Sequence, residues 1–154
     1  MRLGRSERAK GVGRVATAAK GKVQASPKKE STIGLFTVRV EVYSPQARAR
    51  RKTIADVLVD TGSEMTWFPE AELKTLGIRV FRKDVVFRLA NGQTVTRDVG
   101  IAVLESGEFK TVDEVVFGQP GDLSLLGART LEGFNATVDT RRKRLVAAGP
   151  IVTG

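Results

Sequence analysis

The sequence predicts an all-β domain carrying one or two short helices, on three observations. Val38, Val40 and Val42 alternate with Arg39 and Glu41, which is the period of a half-buried strand. Turn-forming clusters recur at short intervals, at Ser44-Pro45-Gln46, Asn91-Gly92, Ser106-Gly107-Glu108 and Gln119-Pro120-Gly121-Asp122, and each is a natural chain reversal. Helix signals are confined to brief stretches and never sustain a long apolar stripe.

In chain order, the first strand is broken at Ser44-Pro45-Gln46, and residues 48–52, rich in Arg and Lys, read as a solvated hairpin end. A second strand follows over residues 53–60. Pro69-Glu70-Ala71-Glu72 then opens a short helix with acids in its first turn, which stops near Gly77. Two strands at about residues 85–89 and 94–99 meet at Ala90-Asn91-Gly92-Gln93, where Asn-Gly is the strongest short hairpin signal in the chain. Another hairpin turns at residues 106–108 and runs to Phe117, and residues 119–122 form a loop. Residues 123–126 make a brief apolar strand ending at Gly127, followed by a short helix to about Phe134. A last hairpin over residues 135–148 turns at Thr140-Arg141-Arg142-Lys143.

Composition excludes several classes of chemistry. At 154 residues the chain holds one domain plus appendages. It has no cysteine, so disulfides, thiolate nucleophiles and zinc–sulfur sites are excluded. It has no histidine either, which removes Ser-His-Asp and Cys-His machinery and imidazole acid–base catalysis. No metal or other cofactor is expected. Proton chemistry must come from carboxylates, lysines or the single tyrosine, Tyr43. No apolar run approaches the roughly 18–20 residues of a membrane span, and the basic N-terminus lacks the apolar centre of a secretory signal. A cytoplasmic location is the expectation.

The net charge of +9 is concentrated at one end. Residues 1–31 hold nine Lys/Arg and two Glu, leaving seventeen basic and fifteen acidic residues for the rest. This tail, rich in Gly, Ala, Lys and Arg, is expected to be disordered. It offers weak non-specific attraction for RNA or an acidic surface; a solubilising extension is the plainer account. Ser26 and Lys29 have the Ser-x-x-Lys spacing of a serine–lysine hydrolase but lack a folded context for it. The domain is expected over residues 32–148, with 149–154 as a C-terminal end.

One stretch points to chemistry. In Val57-Leu58-Val59-Asp60-Thr61-Gly62-Ser63 an apolar strand delivers a lone carboxylate into a glycine turn. Gly62 lets the backbone pass close to whatever Asp60 faces. Thr61 and Ser63 place hydroxyls beside the carboxylate, and hydroxyl donors favour its ionised form. Such a carboxylate can orient and deprotonate water. Peptide hydrolysis by carboxylates alone calls for a second one sharing a proton with the first. The chain has one Asp-Thr-Gly, so the second carboxylate must come from another copy across a two-fold axis, making a homodimer.

These residues resemble the retropepsin-like aspartic proteases, the retroviral-type family related to half of a pepsin. Asp60-Thr61-Gly62-Ser63 is similar to the family's catalytic loop, and Leu125-Leu126-Gly127 to its second signature, a strand passing behind that loop. The hairpin Ala90-Asn91-Gly92-Gln93 falls where the family places its flap, the lid over the substrate. Asp122 before the second signature, and the ending Val138-Asp139 with Arg144-Leu145-Val146, resemble the bacterial and archaeal single-domain members more than the viral ones. Viral members usually place an arginine directly after the second glycine; here Ala128 precedes Arg129, which leaves its reach to Glu64 open.

The resemblance implies a closed half-pepsin β-barrel, a homodimer, and an aspartic endopeptidase acting on peptide or protein substrates. Asp60 from each subunit shares a proton and holds the attacking water; Thr61 bonds across the dimer axis. Gly62 offers its carbonyl to the substrate, and Ser63 steadies the outer carboxylate oxygen. Trp67 and Phe68 are expected in the core rather than in a pocket.

Taken singly, the motifs have plainer meanings. Asp60-Thr61-Gly62 also suits an ordinary turn, Leu125-Leu126-Gly127 a core strand end, and Asn91-Gly92 a simple hairpin. Their order around one aspartate carries the case; a fixed four-residue string arises by chance in about one in a thousand chains of this length. A catalytically silent dimeric peptide-binding or assembly module, and an RNA-binding protein acting through its tail, are the other two classes.

Overall fold

The computed structural model describes residues 35–153. The expectations for residues 1–31, including the tail's disorder, its nucleic-acid attraction and the Ser26–Lys29 spacing, lie outside the described residues. Nine strands and two short helices follow one another as β1 (Thr37–Ser44), β2 (Ala47–Val59), β3 (Thr66–Pro69), α1 (Glu70–Thr75), β4 (Val80–Arg88), β5 (Thr94–Ser106), β6 (Phe109–Gly118), β7 (Leu125–Leu126), α2 (Ala128–Phe134), β8 (Ala136–Asp139) and β9 (Arg144–Ala147). The all-β class with two short helices holds.

Seven strands form one sheet in the order β1-β2-β7-β3-β6-β5-β4, and β1 also pairs with β5. The neighbours β1, β2, β7, β3, β6 and β5 therefore lead back to β1. Most pairings are antiparallel, and four of them are hairpins closed by short turns. Two are parallel, β2 with β7 and β3 with β6, because those partners are distant in sequence. β8 and β9 make a separate two-stranded sheet.

Three elements differ from the sequence expectation. Residues 48–52 are not a hairpin end: β2 runs through them, with Lys52 opposite Val42 and Arg51 opposite Tyr43. The reversal is confined to Pro45 and Gln46, where the Ser44 hydroxyl accepts the Gln46 N–H at 3.1 Å. Strand conformation suits these charged residues because the arm is solvated and the arginines find partners on it. Arg51 lies 4.0 Å over the Tyr43 ring and 3.1 Å from Glu41. Next, β4 starts five residues earlier than its apolar alternation, since Val80, Phe81, Arg82, Lys83 and Asp84 occupy an exposed sheet edge where nothing selects a pattern. Its pairing with β5 is shifted on both sides of Arg82, and Asp84 takes a positive φ of 54°; such irregularity is a common defence of a free edge. Lastly, β3 had no strand signal of its own. Four residues become a strand because β6 and β7 supply ladders on either side.

The core has two parts. The larger contains Val40, Val42, Val57, Val59, Phe68, Leu73, Leu76, Leu104, Val115, Phe117, Leu126, Leu131 and Phe134, so both helices cover it. The smaller gathers Met65, Trp67, Phe87, Val99, Val116 and Leu125, with Leu58, Val85 and Val95 against it. Strand alternation separates them. Leu58 pairs with Leu125, Leu125 with Trp67, Trp67 with Val116, and Val116 with Val99. This row crosses five neighbouring strands on the face opposite Val57, Val59 and Phe68. Phe68 and Trp67 are both buried, one in each cluster.

Candidate active site

Asp60 stands at the C-terminal end of β2, half-buried, beside the two-residue strand β7. The buried Val57 and Val59 hold β2 in the main core, so the strand presents its end rigidly. The ladder continues past the strand: Leu58 N–H donates to the Ser124 carbonyl and Asp60 N–H to the Leu126 carbonyl, both at 3.0 Å. The predicted catalytic loop and second signature are thus brought together, with Leu125-Leu126 directly supporting the aspartate's backbone.

Gly127 shows why the second signature ends in glycine. A Cβ there would lie 2.4 Å from the Met65 carbonyl oxygen and 2.9 Å from that of Glu64, a backbone collision. Without a side chain, the α2 start can approach the loop, and Ala128 and Arg129 donate their N–H groups to the carbonyls of Ser63 and Glu64 at 2.8 and 3.0 Å. The Arg129 guanidinium turns elsewhere, to 3.9 Å from Glu114. Its tie to Glu64 runs through the backbone.

The Asp60 carboxylate receives the Gly62 N–H on Oδ1 at 2.9 Å. Ser63 does not play its expected part. It is fully buried, and its hydroxyl donates to the Met65 carbonyl at 2.8 Å. A hydroxyl has one proton to give, so the donation to Asp60 is replaced by one that ties the loop to β3. Thr61 and Gly62 are exposed, leaving that side of the loop open.

Behind the loop runs a polar chain with no sequence signal. Gly127 N–H donates to Thr66 Oγ1 at 3.0 Å, Thr66 Oγ1 lies 2.6 Å from Thr130 Oγ1, and Thr130 donates to Asp113 Oδ2 at 2.9 Å. Thr130 spends its one proton on Asp113, so Thr66 is the donor between the two hydroxyls. Thr66 and Thr130 are fully buried. Single polar residues within apolar runs hint at such a chain, but partners 64 positions apart emerge only on folding.

Ala90, Asn91, Gly92 and Gln93 form the exposed tip joining β4 to β5. Gly92 has φ 89°, and the tip is closed locally by Leu89 N–H to Gln93 O at 2.7 Å, Gly92 N–H to Leu89 O at 2.9 Å, and Gln93 N–H to Asn91 Oδ1 at 2.9 Å. Its stem joins the site through the smaller cluster: Phe87 meets Trp67 edge-on, with centroids 5.2 Å apart. Among the described residues no group of three His, Cys, Asp or Glu side chains is placed to hold a metal, and no helix is long and apolar enough to cross a membrane.

The model of the family described as gag-polyprotein putative aspartyl protease matches residues 46–133, which run from β2 through Asp60, the β4–β5 hairpin and β7 to α2. No curated protein sequence matches this chain. The match covers more than half of the chain and contains the aspartate loop together with the strand that supports it, and the chain therefore belongs to this family of retropepsin-like aspartyl proteases.

Proposed function

We propose that the protein is an aspartic endopeptidase working as a homodimer, in which each subunit supplies one Asp60. The observation that carries this reading is how Asp60 is held. Its N–H is fixed by the Leu126 carbonyl and its Oδ1 by the Gly62 N–H, at a strand end whose outer side is exposed. A carboxylate so placed can meet its copy across a two-fold axis. Two such groups cannot both stay ionised at close range, so the pair shares a proton. The ionised member takes a proton from the bound water as its oxygen attacks the scissile carbonyl. The protonated member then delivers its proton to the departing nitrogen as the C–N bond breaks.

In this reading Thr61 bonds across the axis, and the Gly62 carbonyl receives a substrate N–H. The cyclic strand pairing supports a closed barrel, and the 90–93 hairpin acts as the lid. Leu125, Leu126 and Gly127 support the loop, and Ser63 is assigned to loop architecture. The test is Asp60→Asn, nearly isosteric but unable to act as base. On a peptide library, the variant is expected to lose cleavage by at least about a thousandfold while keeping its circular dichroism and sedimentation. Turnover equal to wild type would remove Asp60 from the chemistry.

A further inference from the structure

Arg97 lies on β5, in the stem of the hairpin whose tip is residues 90–93, and it grips Asp122 with two prongs. Nε is 2.7 Å from Oδ2 and Nη2 is 3.0 Å from Oδ1. The two side chains are 15% and 5% exposed, making this the most sheltered ion pair among the described residues. Asp122 Oδ2 also accepts the Gln119 N–H at 2.7 Å, and Asp122 N–H donates to the Gln119 carbonyl at 2.9 Å. The carboxylate therefore shapes the turn that leads into β7. From that turn the chain runs straight to the two carbonyls, Ser124 and Leu126, that receive the N–H groups of Leu58 and Asp60.

The same guanidinium sits 6.0 Å from the centroid of the Trp67 ring, which carries Phe87 of the hairpin on its edge. The indole Nε1 is buried with no hydrogen-bond partner among the described residues. The Trp67 backbone is held in the β3 ladders, but its ring is seated by packing and the nearby guanidinium, and packing is tolerant of small slides. A bidentate guanidinium–carboxylate pair is directional. Stability alone gives little reason for it, since a sheltered ion pair is often no better than apolar residues of similar volume.

We propose that Arg97 is a positioning residue for the peptidase reaction: by locking the hairpin stem to the turn before β7, it sets the height of the lid over Asp60 and so governs substrate binding. The inference rests on the endopeptidase reading. Arg97 acts through the hairpin stem and the turn before β7, and the bonds from Asp60 N–H to the Leu126 carbonyl and from the Gly62 N–H to Asp60 Oδ1 do not run through it. The effect is expected on KM rather than on the proton chemistry.

The test uses the full chain as wild type, Arg97→Lys and the neutral pair Arg97→Gln with Asp122→Asn. Lysine keeps the charge but loses the fork; the neutral pair avoids a stranded carboxylate, so at least one variant folds. On one peptide substrate, KM should rise about tenfold, the equivalent of one weakened charge-assisted hydrogen bond. The kcat should stay within about twofold and the acid limb of its pH profile should not move. Acrylamide quenching reads the stem without any activity, because Trp67 is the chain's single tryptophan. In Arg97→Lys it should rise about two- to threefold at unchanged circular dichroism, as a loosened stem exposes the indole. Unchanged quenching overturns the clamp. A lower Tm with both KM and kcat at wild-type values overturns the positioning role, as does a loss of kcat with a moved acid limb. If wild type and Asp60→Asn both fail to cleave any peptide while quenching still rises in Arg97→Lys, the endopeptidase reading falls and the clamp stands.

Discussion

In the proposed mechanism the Asp60 carboxylate trades protons repeatedly, and it needs holders that do not trade protons with it. Backbone amides meet that need, and Asp60 is held by two backbone bonds, one from the Gly62 N–H to its carboxylate and one from its own N–H to Leu126. The Ser63 hydroxyl is spent on the Met65 carbonyl. Ser63→Ala should therefore leave the acid limb of the kcat/KM profile where it is, since that limb reports the free enzyme's carboxylates. The cost should appear instead as stability. Losing a buried donor that leaves a carbonyl unpaired costs about 1–3 kcal/mol, a Tm decrease of several degrees by scanning calorimetry. An acid limb displaced by half a unit or more would return Ser63 to the carboxylate. Gly127→Ala is expected to be far harsher. The new Cβ meets backbone oxygens of Met65 and Glu64, which cannot rotate away, so the loop or the start of α2 must move. A loss of about 2–4 kcal/mol and of cleavage together is expected, read by urea denaturation and peptide assay.

Among the elements, the β1–β2 arm carries its own titration. The buried Tyr43 of β1 donates its hydroxyl to Glu105 of β5, and Arg51 of β2 and Lys110 of β6 lie 3.6 and 3.7 Å from the same carboxylate. The Tyr43 hydrogen bond first, then the charges of Lys110 and Arg51, hold the Glu105 carboxyl below its ordinary value of 4.5 against the opposing effect of burial. A group depressed on folding contributes stability that is present above its unfolded value and disappears as pH falls through its folded one. Glu105→Gln keeps an acceptor for Tyr43 but cannot titrate. Wild type should have the higher Tm at neutral pH, and the difference should shrink below pH 4.5 and vanish in stronger acid. Thermal scans across that range check it; a constant difference would show that the carboxylate's charge contributes nothing. Elements also differ in how legible they were. The β8–β9 hairpin, the turn at residues 106–108 and the Asn91-Gly92 tip were readable because each is decided by neighbours in sequence. β3 and the first half of β4 were not, because the former exists by virtue of ladders from β6 and β7, and the latter lies on an edge where burial imposes no pattern.

For the molecule as a whole, the proposed mechanism, with one Asp60 per chain, makes activity a property of pairs. Specific activity should fall on dilution below the dimer dissociation constant. Excess Asp60→Asn chains should suppress wild-type activity by more than simple dilution, because mixed pairs hold one competent aspartate. A fully active monomer in analytical ultracentrifugation would contradict the two-carboxylate mechanism. The sequence by itself determined the all-β class, the exclusion of histidine and cysteine chemistry, the singular Asp60-Thr61-Gly62 loop and its kinship with Leu125-Leu126-Gly127. These depend on residue type and local order, which composition and period record directly. Only the tertiary structure decided which groups touch. It gave the Ser63 hydroxyl to Met65, joined Thr66 to Thr130 and Asp113, divided Trp67 from Phe68 between two cores, and closed Arg97 on Asp122. Each of these depends on chain segments meeting across the sheet, where a side chain's direction and its nearest partner are set by strand register rather than by the neighbours it has in sequence.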